Sequence, residues 1–548
     1  MPTALESFPA GKIPRPEQKQ AIAEIERLYE AGQNIVAFQG PTGVGKTFVA
    51  AAFAKKEANL AHKTHIITVQ KNLQDQYSAD FPPPFIEVMK GRTNYKCGYE
   101  PWENRNASRG YCRRVEKSAL IRQCLKGGNV EQGQKLELPP EAYACDYWSQ
   151  LSRASRAPIT LFNFQSFLFQ QRLGRFGKRD FMVIDECHNA ENILLQFVQI
   201  TLSDKVLKHL GVRLDLRLNT GQDVLAWIDR ERVVEKIVEH LGSSVNNEAV
   251  PDGLTPAETD QLKGLLQRVE DLRKYLDLTE WVVDVTEDPD PEDPNDKTRK
   301  LRVRPVFVGL FAKELIFSKA DRILAMSATI LDPKIWARNL GIRQADLGYV
   351  EVPCLFPVKN RPIFLEYAGD MSWKNLEGTL PRLFPTVSRI LERHRGQRGI
   401  IHGHSERLCK QILQNVRSPR FLHLDMFPGR DKSAMLREHM KRPDSVLVAS
   451  AMHEGVDLKD EWARFQIITK VPWPTTEDKF VKVRMEHDGS YLPYNCALKL
   501  VQSYGRIVRH DKDFGITYIT DAGFDSFLIR CGWLLPKWFS EAIQKRNQ

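Results

Sequence analysis

The sequence predicts an α/β protein of two parallel-sheet lobes, the first carrying two insertions. Three observations predict it. Short apolar runs recur along the 548 residues, and longer helical patterns follow them. The runs fall into an early and a late set, with a long gap after residue 190. Within that gap the pattern changes to isolated helices and a proline- and acid-rich stretch. Continuous apolar runs suit parallel strands buried on both faces. Their alternation with helices argues for layered α/β packing. The length suggests three or four domains, and 42% apolar residues is enough for several cores.

Taken in order, the early runs are NIVAFQG (34–40), HIITVQ (65–70), FMVIDE (181–186) and RILAMSAT (322–329). The late runs are RGIIHGH (398–404), SVLVASA (445–451), FQIITKV (465–471) and GITYIT (515–520). In the gap, residues 254–278 predict a helix. Thr255 stands as N-cap, Pro256 in the first turn and Glu258 as the capping-box acid. Leu262, Leu265, Leu266, Val269, Leu272 and Tyr275 make one apolar stripe on it. The segment DVTEDPDPEDPNDKTRK (284–300) predicts a solvated loop. No repeat with a period of 20–50 residues is present.

The net charge of +10 favours a polyanionic partner such as nucleic acid. The first thirty residues hold no apolar signal region, and no run of about 18 apolar residues exists to span a membrane. Nine scattered cysteines, an odd number, do not make a secreted disulfide framework and fit a reducing cytoplasm.

The strongest chemical signal is GPTGVGKT (40–47), set between an apolar strand and a helical segment. Glycines such as Gly43 and Gly45 let backbone N–H groups cradle phosphate oxygens. Lys46 reaches the β- and γ-phosphates of a nucleotide, and the Thr47 hydroxyl suits magnesium. FMVIDECHNAE (181–191) ends a strand in Asp185, a magnesium carboxylate, and Glu186, which polarises the attacking water. Cys187 reads as a small buried side chain, and His188 as a link between the nucleotide and nucleic-acid loops. In QSYGRIVR (502–509), Arg506 and Arg509 share one face if the segment is helical. They could then reach across a cleft to a γ-phosphate, with Gln502 beside them.

Cys97, Cys112, Cys124 and Cys145 stand singly, at spacings of 15, 12 and 21. Four thiolates can hold zinc or an iron–sulfur cluster. The absence of C-x-x-C pairs speaks against zinc, and the spacing leaves a cluster and four independent buried thiols both open.

Jointly these motifs resemble superfamily 2 helicases with two RecA-like lobes. SAT (Ser327–Thr329) resembles motif III, and HEGVDL (453–458) resembles motif V, with Gly455 and Asp457. Arg15 and Gln18 in IPRPEQ resemble the adenine-side motif. Thr68 and Gln74 in TVQKNLQDQY resemble motif Ia strand contacts. MKGRTNYKC (89–97) is similar to the entry of the iron–sulfur domain in the XPD/DinG family, and LLPKWF (534–539) also resembles its members. HGHS (402–405) departs from the family, whose members more often carry an aromatic before the serine; His402 and His404 read as strand-end residues.

The resemblance implies RecA-like lobe 1 over 1–95, 146–190 and 306–345, and an iron–sulfur domain over 96–145. It also implies a mainly helical arch over 191–305 and RecA-like lobe 2 over 346–548. It implies ATP and Mg2+ in the cleft and a [4Fe–4S] cluster on the four cysteines. The implied activity is an ATP-dependent DNA helicase moving 5′→3′ on single-stranded DNA, acting on forked or tailed duplex, with R-loops among the candidate substrates. A monomer in the cytoplasm of a bacterium or phage-infected cell is expected, with no membrane partner. Trp102, Tyr111, Tyr147 and Trp148, and arginines such as Arg105 and Arg109, could contact the strand from the insert. Two other readings stay open: an RNA helicase or remodeller, and a DNA-binding subunit that ATP only gates. A nuclease is disfavoured because about thirty residues precede the first strand.

Overall fold

A computed structural model describes residues 2–69, 74, 77–78, 85–96, 146–246, 256–289, 297–450 and 458–544. The first lobe is a parallel sheet of seven strands. They are β1 (Ile35–Gln39), β2 (Thr64–Thr68), β3 (Ile86–Met89), β4 (Ile159–Asn163), β5 (Arg179–Asp185), β9 (Ala320–Ser327) and β10 (Leu347–Glu351), in the spatial order β10-β1-β9-β5-β2-β4-β3. Every pairing in it is parallel. Alternate residues of each strand enter the cores on the sheet's two faces. Ile35, Ala37, Met182 and Ile184 point to one, and Val36, Phe38, Phe181 and Val183 to the other. This doubly buried pattern is what the uninterrupted apolar runs required.

The second lobe is a parallel sheet of β11 (Ile363–Gly369), β12 (Gly399–His402), β13 (Phe421–Leu422), β14 (Val446–Ala449), β15 (Phe465–Ile468) and β16 (Ile516–Asp521). Their order is β11-β16-β15-β12-β14-β13. All eight sequence-predicted runs are strands. Five further strands of these two sheets escaped the sequence reading: β3, β4, β10, β11 and β13. Four of them are the outermost strands of the two sheets. An edge strand has one flank open; β10 alternates buried with partly exposed positions, and most of β11 is partly exposed.

Between β5 and β9 the chain forms a separate unit. It holds the helices Asp204–His209, Gly221–Arg230, Val233–Asn246 and Pro256–Tyr275. The predicted stripe on the last of these is buried at Leu262, Leu265, Val269, Leu272 and Tyr275, and Leu266 packs against the same core. Thr255 lies outside the described residues. The unit is not only helical. β6 (Ile200–Ser203), β7 (Trp281–Pro289) and β8 (Lys297–Pro305) form an antiparallel sheet in the order β6-β8-β7. The predicted loop 284–300 is therefore shorter than expected, because Asp284–Pro289 and Lys297–Lys300 are paired strand. Opposite charge stabilises this pairing: Asp284 lies across from Arg302, and Glu287 across from Arg299, to which it is ion-paired at 3.1 Å.

This unit also grips the second lobe. Arg304, almost fully buried, donates two hydrogen bonds to the Asp478 carboxylate at 2.8 and 2.7 Å. Lys479 Nζ donates to the Val283 carbonyl at 2.9 Å, and Val282 and Val306 pack with Phe480 and Val481. Among the described residues no helix is long and apolar enough to cross a membrane.

Candidate active site between the lobes

The loop from Gly40 leaves β1 and enters the helix Lys46–Asn59. Gly43 and Gly45 adopt φ +82° and +83°, a region in which side chains are strained. A Cβ on Gly43 would overlap the Arg509 carbonyl oxygen, and one on Gly45 would overlap the Gln18 amide. Glycine is thus required twice, for the turn and for the close approach of other backbone. Lys46 Nζ donates to the Gly40 carbonyl at 2.9 Å, which folds the lysine over its own loop. Thr47 is buried in the first helical turn, where unpaired backbone N–H groups and the helix dipole favour an anion.

Asp185 is the last residue of β5, and Glu186 follows in a left-handed conformation at φ +53°. Both residues line the cleft between the lobes. Asp185 is 3% exposed; its Oδ1 accepts from the Glu186 N–H at 3.0 Å, and its Oδ2 from the Tyr77 hydroxyl at 3.4 Å. Burial, then the Glu186 charge, pushes the Asp185 carboxyl above its ordinary range, against the pull of Lys46. Burial lowers the Lys46 ammonium against the pull of Glu186 and Asp185. Two carboxyls served by one ammonium make a place that takes up a cation, and oxygen donors such as these and the Thr47 hydroxyl suit magnesium.

His188 Nδ1 lies 2.6 Å from the Ser327 hydroxyl at the end of β9, which accepts from the Thr329 N–H at 2.9 Å. The contact joins the turn after β5 to the end of β9. Cys187 is buried, and burial raises its thiol pKa well above the ordinary value, so it has no nucleophilic character.

The second lobe closes the same cleft, of ≈ 730 Å³, with Gln502, Gly505, Arg506 and Arg509. The helix Tyr491–Tyr504 ends at Gly505, so the two arginines do not share a helical face as predicted. They reach the cleft from the irregular segment that follows, anchored on Gln502 and Gly505 carbonyls at 3.1 and 3.2 Å. Arg15 and Gln18 also line the cleft. Arg15 Nη1 donates to the Gly43 carbonyl at 3.0 Å, and Gln18 Nε2 to the Val44 carbonyl at 3.0 Å. Both therefore brace the phosphate loop directly.

Other expectations fare differently. Asp457 and the four cysteines Cys97, Cys112, Cys124 and Cys145 lie outside the described residues, as do Gly455, Trp102, Tyr111, Arg105 and Arg109. Tyr147 and Trp148 are 1% and 4% exposed, with Arg92 over both rings, so they are core residues and not stacking faces. Thr68 and Gln74 are likewise buried, Thr68 donating to the Phe162 carbonyl, which removes both side chains from an open strand-contact surface. Tyr95 and Tyr147 touch edge to face at 5.6 Å, so the two ends of the cysteine-bearing insert meet on lobe 1.

The cleft also holds residues that the motifs did not flag: Phe8, Lys12, Phe48, Lys459, His510 and Trp538. Phe8 and Phe48 pair at 6.1 Å, and Lys12 lies over Phe48. Phe8 and Lys12 belong to a non-helical N-terminal segment without spacing of its own. Trp538 belongs to LLPKWF, whose aromatic pair after a proline was the available signal.

Residues 12–211 match the family model described as type III restriction enzyme, res subunit, and residues 390–542 match the helicase C-terminal domain model. The chain is 24% identical to the ATP-dependent DNA helicase YoaA of Escherichia coli, over 93% of this chain and 92% of that protein. It is 22% identical to YoaA of Haemophilus influenzae, over 93% and 91%. Among solved structures, an XPD helicase superposes with a TM-score of 0.59 at 14% identity, covering 96% of this chain and 98% of that one. Xpd4 of S. tokodaii does so with a TM-score of 0.55 at 12% identity, covering 97% and 99%.

Proposed function

Because the chain belongs to the XPD/DinG-like family of superfamily 2 helicases, we propose that it is an ATP-dependent DNA helicase travelling 5′→3′ on single-stranded DNA. Its substrates in this reading are forked or tailed duplexes. The observation that carries the proposal is the single cleft in which Lys46, Asp185 and Glu186 of one lobe share space with Arg506 and Arg509 of the other.

In this reading the ATP phosphates lie on the loop Gly40–Thr47, with Lys46 swinging from the Gly40 carbonyl onto the β- and γ-phosphates. Thr47 and Asp185 would hold magnesium, which screens the phosphate charge. Glu186 orients the attacking water. Arg506 and Arg509 stabilise the charge that develops on the γ-phosphoryl oxygens, and this makes turnover depend on closure of the lobes. Asp457 joins the nucleotide from the second lobe, and Arg15 and Gln18 border the adenine. Hydrolysis reopens the cleft, and the bound strand advances.

Cys97, Cys112, Cys124 and Cys145 are the proposed ligands of a [4Fe–4S] cluster that staples the insert 96–145. A segment of that length can bury little apolar surface by itself, and the residues flanking it, Tyr95 and Tyr147, meet on lobe 1. Unwinding of matched 5′- and 3′-tailed duplexes, with iron and acid-labile sulfide measured on the same preparation, tests the proposal. Opening of only the 5′-tailed duplex by iron-bearing protein is expected. Opening of only the 3′-tailed duplex overturns the direction, opening of neither overturns the helicase reading, and stoichiometric zinc overturns the cluster. Cys112→Ser is expected to lose iron and unwinding while keeping part of its ATPase.

A further inference from the structure

The parallel strands of the second lobe end on one edge, the side of an open α/β sheet at which ligands bind. One buried carboxylate organises part of that rim. Asp521, 3% exposed, ends β16; its Oδ1 accepts from the N–H groups of Met371 (3.0 Å) and Gly523 (2.8 Å), and its Oδ2 from the N–H of Val471 (2.9 Å). The loops that follow β11, β15 and β16 are thereby tied into one rigid unit.

The loop after β11 has a second lock. Asp370 accepts from the Ser372 N–H at 2.7 Å and from the Asn375 amide at 2.6 Å, and its carbonyl accepts from the Thr379 hydroxyl at 2.7 Å. Burial opposes ionisation of Asp370, but these donors and the nearby charge of Lys470 hold its carboxyl below the ordinary value. Lys470 follows β15, so its ammonium stands near the same loop. On this doubly fixed turn sits Trp373, 80% exposed, followed by the exposed Lys374. The helix that comes next carries Glu377, which accepts from Arg407 at 2.5 Å. Arg407 belongs to the helix Glu406–Asn415, just after the HGHS turn at the end of β12. The Glu377–Arg407 bond therefore ties the helix after the Trp373 turn to the HGHS turn.

An indole left open to water forfeits the burial that makes tryptophan stabilising. A mobile loop could fold it away; this one is held by two carboxylates. A rigid, exposed aromatic face flanked by lysines suits an unpaired base whose phosphates the lysines attract.

We propose that Trp373 is a base-stacking platform of the second lobe, on which an unpaired base of the single strand rests as the strand crosses the carboxyl edge of the sheet. The inference rests on the DNA-helicase reading and adds to it a strand-contact residue that no helicase motif marks.

Fluorescence anisotropy with labelled oligo-dT and with a labelled abasic strand of equal length tests it, on the full-length chain and its Trp373→Ala and Trp373→Phe variants. Stacking is worth a factor of roughly 5 to 100 per base. Trp373→Ala should lose oligo-dT affinity by about that factor. Trp373→Phe should keep most of it, and all three proteins should bind the abasic strand alike. The melting temperature of each variant should match that of the parent, since the side chain is exposed. Equal oligo-dT binding by Trp373→Ala and the parent overturns the proposal, as does an equal loss on the abasic strand. Absence of any ATPase response to single-stranded DNA in the parent chain is a different failure: it overturns the helicase reading itself.

Discussion

At the scale of single residues, the phosphate loop places two separable demands on its sequence. Lys46 is chemical: in the proposed reading it supplies the cation that the triphosphate needs. Lys46→Ala is expected to abolish ATP turnover while DNA binding, measured by anisotropy, stays largely intact. Gly43 is geometric. Its positive φ and the Arg509 carbonyl beside it leave no room for a Cβ, so Gly43→Ala must displace the loop or the second lobe. A displacement near 1 Å can cost about 10²-fold in rate, which is the fall expected in DNA-stimulated ATPase.

His439 shows the same separation for stability. It is fully buried, with Nε2 2.8 Å from the Trp462 carbonyl and Nδ1 2.9 Å from the Ser445 hydroxyl. Burial lowers its pKa to about 4. The unfolded chain therefore takes up a proton near pH 6.5 that the folded chain refuses until about pH 4. The stability contributed by neutral His439 is complete above pH 6.5 and is lost as the pH falls toward 4. Between pH 7 and pH 5, His439→Gln should lose less thermal stability than the parent chain; an equal loss would contradict the assignment.

At the scale of elements, the root of the β7–β8 hairpin matters most. Arg304 is the one side chain through which β8 makes a two-pronged bond to the Asp478 carboxylate, and Asp284 lies 3.5 Å away. Removing a buried partner strands the charges it neutralised. Arg304→Ala is expected to destabilise the fold by ~3 kcal/mol, read by chemical denaturation. Because this contact joins the inserted unit to lobe 2, the same variant should also loosen the interface between them, seen as faster amide exchange in the helix Lys479–His487.

At the scale of the whole molecule, residues of both lobes line one cleft, and the chain carries a net charge of +10. Binding a polyanion releases counterions, so affinity for single-stranded DNA should fall roughly tenfold or more between 50 and 200 mM salt. A flat response would contradict binding through phosphate contacts.

The sequence by itself determined most of the doubly buried strands, though not β4, and the glycine-rich loop that leaves β1. Both are encoded locally: an apolar run needs no partner to be recognised, and a loop that must turn at positive φ can be built of little but glycine. The acidic pair at the end of β5 was legible for the same reason. The edges β3, β10, β11 and β13 were not, because an edge strand is defined by what lies beside it. The acidic and basic strands β7 and β8 looked like a solvated loop until each neutralised the other. Only the tertiary structure decided that Tyr147 and Trp148 belong to the core, that Arg506 and Arg509 reach the cleft from an irregular segment past the helix end, and that Trp373 stays outside. Each depends on packing between segments far apart in the chain, and such contacts leave no periodic trace in a linear sequence.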